Sequence, residues 1–74
     1  MISYEPLWQT MKEKGITTYT LRVKIGFSAG TLDRLKQNRY VSTHTIDNLC
    51  NLLDCDVQDV MIHLRDNTGQ GGKA

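Results

Sequence analysis

Apolar residues recur at intervals of three and four along most of the chain, and polar residues separate them. This spacing indicates amphipathic helices that each turn one apolar face inwards. Five helices are predicted in this way: about Tyr4 to Lys14, Thr18 to Lys24, Ala29 to Gln37, Thr43 to Leu53, and a last one that begins at Asp56. The fold class expected from the pattern is therefore all-α.

Residues that favour helix N-termini precede several of these segments. Thr17, Ser28 and Ser42 are predicted N-caps, because their side-chain oxygens can accept hydrogen bonds from free backbone amides. Asp56, with Asp59 three residues later, resembles a capping box and is expected to start the fifth helix. That helix would turn four apolar residues inwards: Val57, Val60, Met61 and Leu64.

The stretch from Thr17 to Thr43 carries the most informative pattern of the chain. Leu21 and Ile25 share one helical face, and Gly26 then provides the residue type that adopts positive φ and ends a helix within one residue. After the Gly-Phe-Ser break, a second amphipathic stretch follows. Two short helices at a steep angle are expected, and this arrangement is a helix-turn-helix.

Charge is distributed unevenly, although the formal net charge is only +1. Within the helix-turn-helix stretch only Asp33 opposes five cations: Arg22, Lys24, Arg34, Lys36 and Arg39. From Tyr40 to Leu64 there is no Lys or Arg, and there are four acids: Asp47, Asp54, Asp56 and Asp59. A molecule polarised in this way can orient itself towards a polyanion, while a solvated basic helix surface is the simpler alternative.

Length and composition bound the other possibilities. A chain of 74 residues allows one domain with a small core: residues 1–65 as the helix-turn-helix domain and 66–74 as a flexible polar tail. The apolar runs are too short to span a membrane, and the first residues lack the pattern of a secretory signal, so a cytoplasmic location is expected.

Cys50 and Cys55 could in principle form a disulfide, but they are expected to be reduced, buried thiols in such a location. Together with His44 and His63 they match no strong zinc-ligand pattern, so no metal is expected. His44 is interpreted as a surface residue near phosphate rather than a general base, because no partner nucleophile is evident. The sequence predicts no enzyme, no cofactor and no small-molecule substrate.

The helix order, the Gly-Phe-Ser turn, the segment Ser28 to Leu35 and the continuation VSTHTIDNLCNLLDCDVQDVM resemble a known family. It is the lambda-repressor-like family, also called XRE or Cro-type, of helix-turn-helix regulators from bacteria, phages and mobile elements. The start of the chain resembles its small single-domain branch, and the resemblance covers about Ser3 to Leu64. It implies a five-helix bundle that binds an operator in double-stranded DNA as a transcriptional regulator.

The resemblance also assigns roles to individual residues. It implies that the second helix of the motif reads base edges through Ser28, Ala29, Gly30, Asp33 and Arg34. Phosphate contacts are expected from Thr18, Thr31, Lys36, Asn38, Arg39, Tyr40, Thr43 and His44. Ala29 and Gly30 replace the longer polar residues common in the family, so few direct hydrogen bonds from side chains to base edges are expected.

Three other residues have two interpretations each. Arg22 stands where the family usually has Ala or Gly, so its guanidinium is expected to point outwards, either to DNA or to Glu13 or Asp33. Tyr4 and Trp8 are expected to cover the bundle, with a partner surface as the alternative.

Two classes of function follow from these features. The first is a repressor that binds an inverted repeat as a homodimer, through the fourth and fifth helices with Ile62 at the interface. The second is a protein-interaction module, such as an antitoxin-like subunit, that keeps the fold but reads little or no DNA. The few direct hydrogen bonds to bases expected at Ala29 and Gly30 are the feature that suggests the second class.

Overall fold

The computed structural model describes residues 1–65, so the predicted tail at 66–74 lies outside the described residues. In chain order it contains β1 (Ile2–Ser3), α1 (Glu5–Lys14), α2 (Thr18–Thr20), a π-helical turn (Leu21–Ile25), α3 (Ala29–Lys36), α4 (Thr43–Leu53), a 3-10 turn (Val57–Asp59) and β2 (Ile62–His63). The first, third and fourth predicted helices are present with bounds close to the expected ones, and the second is divided between α2 and the π-helical turn. The expected fifth helix is not present among the described residues, and a two-stranded sheet stands in its place.

The three predicted serine and threonine N-caps are confirmed. The Thr17 side chain accepts a hydrogen bond from the backbone nitrogen three residues later at 3.4 Å, that of Ser28 does so at 3.1 Å, and that of Ser42 at 3.2 Å. Each cap satisfies an amide that has no partner within its helix, which is worth about 1 kcal/mol. The starts of α2, α3 and α4 are therefore fixed by local chemistry.

The prediction of a fifth helix is wrong. Its capping box does form, since the Asp56 backbone nitrogen donates to Asp59 Oδ2 at 3.2 Å, but only one 3-10 turn follows. Val60 is fully buried and Met61 packs against the core as expected, whereas Val57 is 49% exposed and Leu64 42% exposed. Valine and isoleucine in this segment lower the preference for helix and suit an extended strand.

A two-stranded antiparallel sheet joins the two ends of the described chain. Ile2 is opposite His63 and Ser3 is opposite Ile62, and the Leu64 backbone nitrogen donates to the Met1 carbonyl at 2.7 Å. Pairing in the sheet satisfies part of the backbone groups of this segment, which a helix would otherwise have paired.

The core lies between the helices and is made of aliphatic side chains with one methionine and one tyrosine. It contains Tyr4, Leu7, Met11, Leu21, Leu32, Leu35, Ile46, Leu49, Leu53 and Val60. Trp8 packs against it from the edge, so the prediction that Tyr4 and Trp8 cover the bundle is confirmed. Thr10 Oγ1 donates to the Asp59 carbonyl at 2.8 Å and ties the 3-10 turn to α1. Among residues 1–65, no helix is long and apolar enough to cross a membrane.

Candidate nucleic-acid interface

The turn between α2 and α3 is entered through the π-helical turn. The backbone nitrogens of Gly26 and Phe27 both donate to the Leu21 carbonyl, at 3.2 and 3.3 Å. Gly26 has a φ of 85°, a conformation that costs a residue with a Cβ about 1 kcal/mol or more. Phe27 packs against the core, and Ser28 caps the next helix at once. The predicted Gly-Phe-Ser turn is therefore confirmed.

The orientation of α3 follows from its two buried leucines. Leu32 and Leu35 face the core, which turns the opposite side of the helix to solvent. With 3.6 residues per turn, Ala29, Gly30, Asp33 and Arg34 fall within an arc of about 140°. All four are exposed, and so is Ser28 at the helix start. The structure thus brings the five predicted base-reading residues together on one exposed surface, named the α3 face below.

Two of the residues near the start of α3 are already hydrogen-bonded. Ser28 Oγ and Thr31 Oγ1 lie 3.2 Å apart and share a hydrogen bond, and Thr31 is half-buried. Gly30 leaves open space above the helix, because a Cβ added there would meet only Ser28 Oγ at 3.7 Å. The α3 face therefore offers backbone rather than long side chains at its tip, and Arg34 is its one cation.

The exit of α3 holds several of the predicted phosphate contacts. Arg34, Asn38, Arg39 and Tyr40 line a cavity of about 460 Å³ beside β1. Tyr40 is 80% exposed, and Arg39 Nε donates to Gln37 Oε1 at 2.8 Å, which holds the guanidinium close to the helix end. A cation and a phenol are thereby presented side by side next to the α3 face.

Asn38 has a structural role that the sequence did not reveal. It adopts a φ of 57°, which asparagine tolerates better than most residues, and its Oδ1 accepts a hydrogen bond from the Tyr4 backbone nitrogen at 3.0 Å. Tyr4 in turn donates its hydroxyl to the Arg39 carbonyl at 2.8 Å. These two bonds fasten β1 to the exit of α3. Because its Oδ1 is occupied in this way, Asn38 can make the predicted phosphate contact only through its side-chain amide nitrogen.

The other predicted phosphate contacts lie at helix ends. Thr18 is the first residue of α2 and half-buried, and Lys36 is the last residue of α3 and exposed. Thr43 and His44 are exposed in the first turn of α4, just after the Ser42 cap. Free backbone amides at the starts of α2 and α4 favour an anion, and Lys36 offers an exposed positive charge instead. These placements are compatible with phosphate contacts, which stay predictions.

The charge separation expected from the sequence is present on the surface. All five cations of the helix-turn-helix are exposed: Arg22, Lys24, Arg34, Lys36 and Arg39. In the C-terminal part, Asp47, Asp54 and Asp56 are exposed, and Asp59 is half-buried. Arg22 lies in a shallow cavity with Tyr19, Val23 and Phe27. Tyr19 and Val23 are exposed apolar residues, four positions apart, to which the sequence pattern gave no role.

The chain belongs to the family of Cro/C1-type helix-turn-helix DNA-binding domains, whose model matches residues 6–66. It is also similar to the crystal structure of the transcriptional regulator VanUg, Form II, with a TM-score of 0.82 and 29% sequence identity. That similarity covers 88% of this chain and 87% of the other. A comparison with curated proteins gives no match. The family resemblance inferred from the residues is thus confirmed.

Proposed function

We propose that the protein is a transcriptional repressor that inserts α3 into the major groove of an operator and excludes polymerase by occupying the site. The observation that carries the proposal is the α3 face, on which the five predicted base-reading residues are exposed together. An α-helix fits the major groove, where each base pair presents a distinct pattern of donors and acceptors. The similarity to the transcriptional regulator VanUg supports the same function.

Each residue of the α3 face suits a particular contact. Arg34 has the length and the two parallel donors needed for guanine O6 and N7, and Asp33 can accept from the amino group of cytosine. Ala29 suits the methyl group of thymine. Gly30 lets the start of the helix approach the groove closely, because it carries no side chain.

The phosphates on either side of the groove would be held by the residues around the α3 face. Lys36 and Arg39 supply charge, and Tyr40 supplies a hydroxyl. The N-terminal turn of α4 would add Thr43 and His44, and that of α2 would add Thr18. Such contacts fix the position of the protein on the duplex but carry little sequence information.

Two copies are needed for specificity. One α3 face offers few long polar side chains, and each good base contact discriminates by only about 1 to 3 kcal/mol. The affinity of a single copy for its operator half-site would therefore exceed its affinity for random DNA only slightly. A homodimer on an inverted repeat doubles the readout, with half-sites about one DNA turn apart.

The side that includes α4 and the 3-10 turn is poorly suited to a twofold interface. It presents the exposed carboxylates of Asp47, Asp54 and Asp56, and a twofold axis through it would bring like charges together. The outer side of β2 presents Ile62, which is 40% exposed, and Leu64. We therefore place the dimer interface at β2. This keeps Ile62 at the interface but removes the fifth helix from it.

The hydrogen bonds of the sheet support a pairing of two β2 strands. Leu64 and Met1 exchange both backbone bonds, at 2.7 and 2.8 Å, and Ser3 is opposite Ile62. In an antiparallel ladder the intervening residue, His63, then directs its N–H and C=O away from β1. In a twofold pair of β2 strands, His63 of each copy would exchange these two bonds with the other.

Selection of duplexes from a random pool tests the proposed function. The expected result is a palindromic site that the protein retards at low salt, with a footprint that covers both half-sites. If no duplex of any sequence is retarded at low salt, the repressor proposal is wrong. The protein-interaction module would then be the better interpretation.

A further inference from the structure

The end of α4 brings the two cysteines of the chain together. Asp54 adopts a φ of 52°, and the backbone nitrogens of Asp54 and Cys55 both donate to the Cys50 carbonyl. A bond from the sixth residue back to the first is typical of a Schellman-like helix end, where an apolar contact between the side chains of those two residues is frequent. Here cysteines occupy both positions.

Backbone geometry limits how far apart Cys50 and Cys55 can be. The Cys55 nitrogen lies 3.1 Å from the Cys50 oxygen. The two Cα atoms lie about 1.5 and 2.4 Å from those atoms, so their separation is at most about 7 Å. Disulfides span Cα separations of roughly 4.4 to 6.8 Å. The Cα separation of the two cysteines is therefore within, or at most slightly beyond, the range that a disulfide spans.

Small reagents can reach both thiols. Cys50 and Cys55 are free and half-buried, and both line an open groove of about 690 Å³ between α4 and the 3-10 turn. Ile46, Val57 and Met61 form its apolar side, and Asp47 and Asp56 lie at its rim. Cys55 also borders a second, smaller cavity next to α1.

We propose that Cys50 and Cys55 form a dithiol site that low-molecular-weight disulfides oxidise as a pair to an intramolecular disulfide. One cysteine, as its thiolate, attacks a sulfur of the reagent, whose S–S bond breaks and releases one thiolate. The second cysteine loses its proton and attacks the protein sulfur of the mixed disulfide, which releases the second thiolate. The protein gives up two electrons and two protons, and the reagent becomes two thiols.

The surroundings of the site make this exchange slow at neutral pH. Burial raises the pKa of both thiols above the ordinary value, and the nearby carboxylates of Asp47, Asp56 and Asp59 raise the pKa of Cys50 further. Lys14 on α1 acts in the opposite direction on Cys55. Because the thiolate is the attacking species, the pair stays reduced until the oxidant is abundant or the pH rises.

The disulfide would be a covalent crosslink at the end of α4. It would close a short loop around Asp54 and hold the 3-10 turn to the helix. Thr43 and His44 line the same groove, seven and six residues before Cys50, which is about 9 to 11 Å along the helix at 1.5 Å per residue. None of the five residues of the α3 face lines this groove, so the disulfide is expected to act on stability while leaving the α3 face unchanged.

Intact-mass spectrometry of the folded full chain, incubated with oxidised glutathione, tests the proposal. The expected product has lost two hydrogen atoms, carries no glutathione, and returns to the starting mass with excess dithiothreitol. The matched controls are Cys50→Ser and Cys55→Ser, each of which should stop at one stable glutathione adduct. The wild-type result alone decides the proposal if either variant fails to fold.

Three outcomes would overturn the dithiol site. They are two glutathione adducts per chain, disulfide-linked dimers as the main product, and a folded chain that has not reacted when the urea-unfolded chain has reacted fully. Thermal unfolding provides a second measurement. The oxidised chain should unfold at a higher temperature than the reduced one, because the closed loop restricts the unfolded state. An unchanged or lower midpoint would show that the native backbone does not accommodate the bond.

Discussion

The helix-turn-helix and the segment after α4 differ in both charge and the range of the bonds that hold them. In the helix-turn-helix, caps and turn bonds join residues three to six positions apart, and the exposed charges are mostly positive. After α4, the bonds reach from Asp59 to Thr10, 49 residues away, and from Leu64 to Met1, 63 residues away, and acids dominate. The comparison suggests that one region is specified locally and faces a polyanion, while the other depends on the whole fold and is available for protein contacts.

Salt is expected to have the largest effect that tests this difference between the basic helix-turn-helix and the acidic segment after α4. It should weaken DNA binding strongly. If a dimer neutralises about six to ten phosphates, log affinity should fall with log salt at a slope of roughly −5 to −9. Titrations at several salt concentrations measure the slope. Lys36→Ala should make it shallower, whereas Lys14→Ala, an exposed cation on α1, should not change it. A slope near zero would contradict an electrostatic DNA surface.

A second prediction concerns the C-terminal region and the proposed β2 interface. His63→Pro removes the backbone donor that points away from β1, and proline is tolerated at such a position of an edge strand. Its mass by sedimentation should fall to that of a monomer, and its affinity for a palindromic operator should fall towards that for a single half-site.

His63→Ala is the matched control, because it keeps the backbone donor and should remain a dimer. Ile62→Asp should dissociate the dimer as His63→Pro does, since it places a charge in the interface. If His63→Pro is folded, dimeric and binds like the parent protein, the interface lies elsewhere on the molecule.

A third prediction separates specificity from affinity within the basic region. Arg34→Ala should cost about 1 to 3 kcal/mol on the preferred operator and relax the preference at one base pair per half-site. Arg39→Ala should weaken binding to all sequences about equally. Competition titrations against operator and random duplexes distinguish the two. Equal losses on both duplexes for Arg34→Ala would show that Arg34 only positions the protein.

The smallest expected effect is that of Gly30→Ala. In the free protein the new Cβ meets only Ser28 Oγ at 3.7 Å, so the substitution should raise the free energy of unfolding by up to about 1 kcal/mol. On DNA the same methyl group would stand between the helix and the groove, so affinity should fall several-fold. Urea unfolding and operator titration measure the two changes. A variant that is both more stable and tighter on DNA would exclude a close approach at this position.

Local patterns were sufficient to predict most of the helix-turn-helix. Thr17, Ser28 and Ser42 cap helices through residues three positions away, and Gly26 adopts its positive φ within the turn itself. Such features depend on neighbours that the sequence shows side by side. The exposure of the α3 face followed from the placement of Leu32 and Leu35 alone.

Features that depend on distant residues could not be predicted in the same way. The spacing of Val57, Val60, Met61 and Leu64 fits a helix, and nothing local shows that β1 is free to pair with this segment. The bond from Tyr4 to Asn38 links residues 34 positions apart, so Asn38 looked like an outward polar residue. The sequence favoured two separate thiols over a pairing of Cys50 and Cys55, because their approach requires the left-handed turn at Asp54, which the sequence does not reveal.

The sheet between β1 and β2 has a consequence for the order in which the molecule folds. Its bonds close a loop of almost the whole described chain, and such long closures cost more entropy than the helical turns around them. The sheet is therefore expected to form after the helices and to open first in native-state hydrogen exchange. If β2 is the strand that pairs in the dimer, a partner can bind only after the monomer has finished folding. Partly folded chains would then be excluded from the dimer.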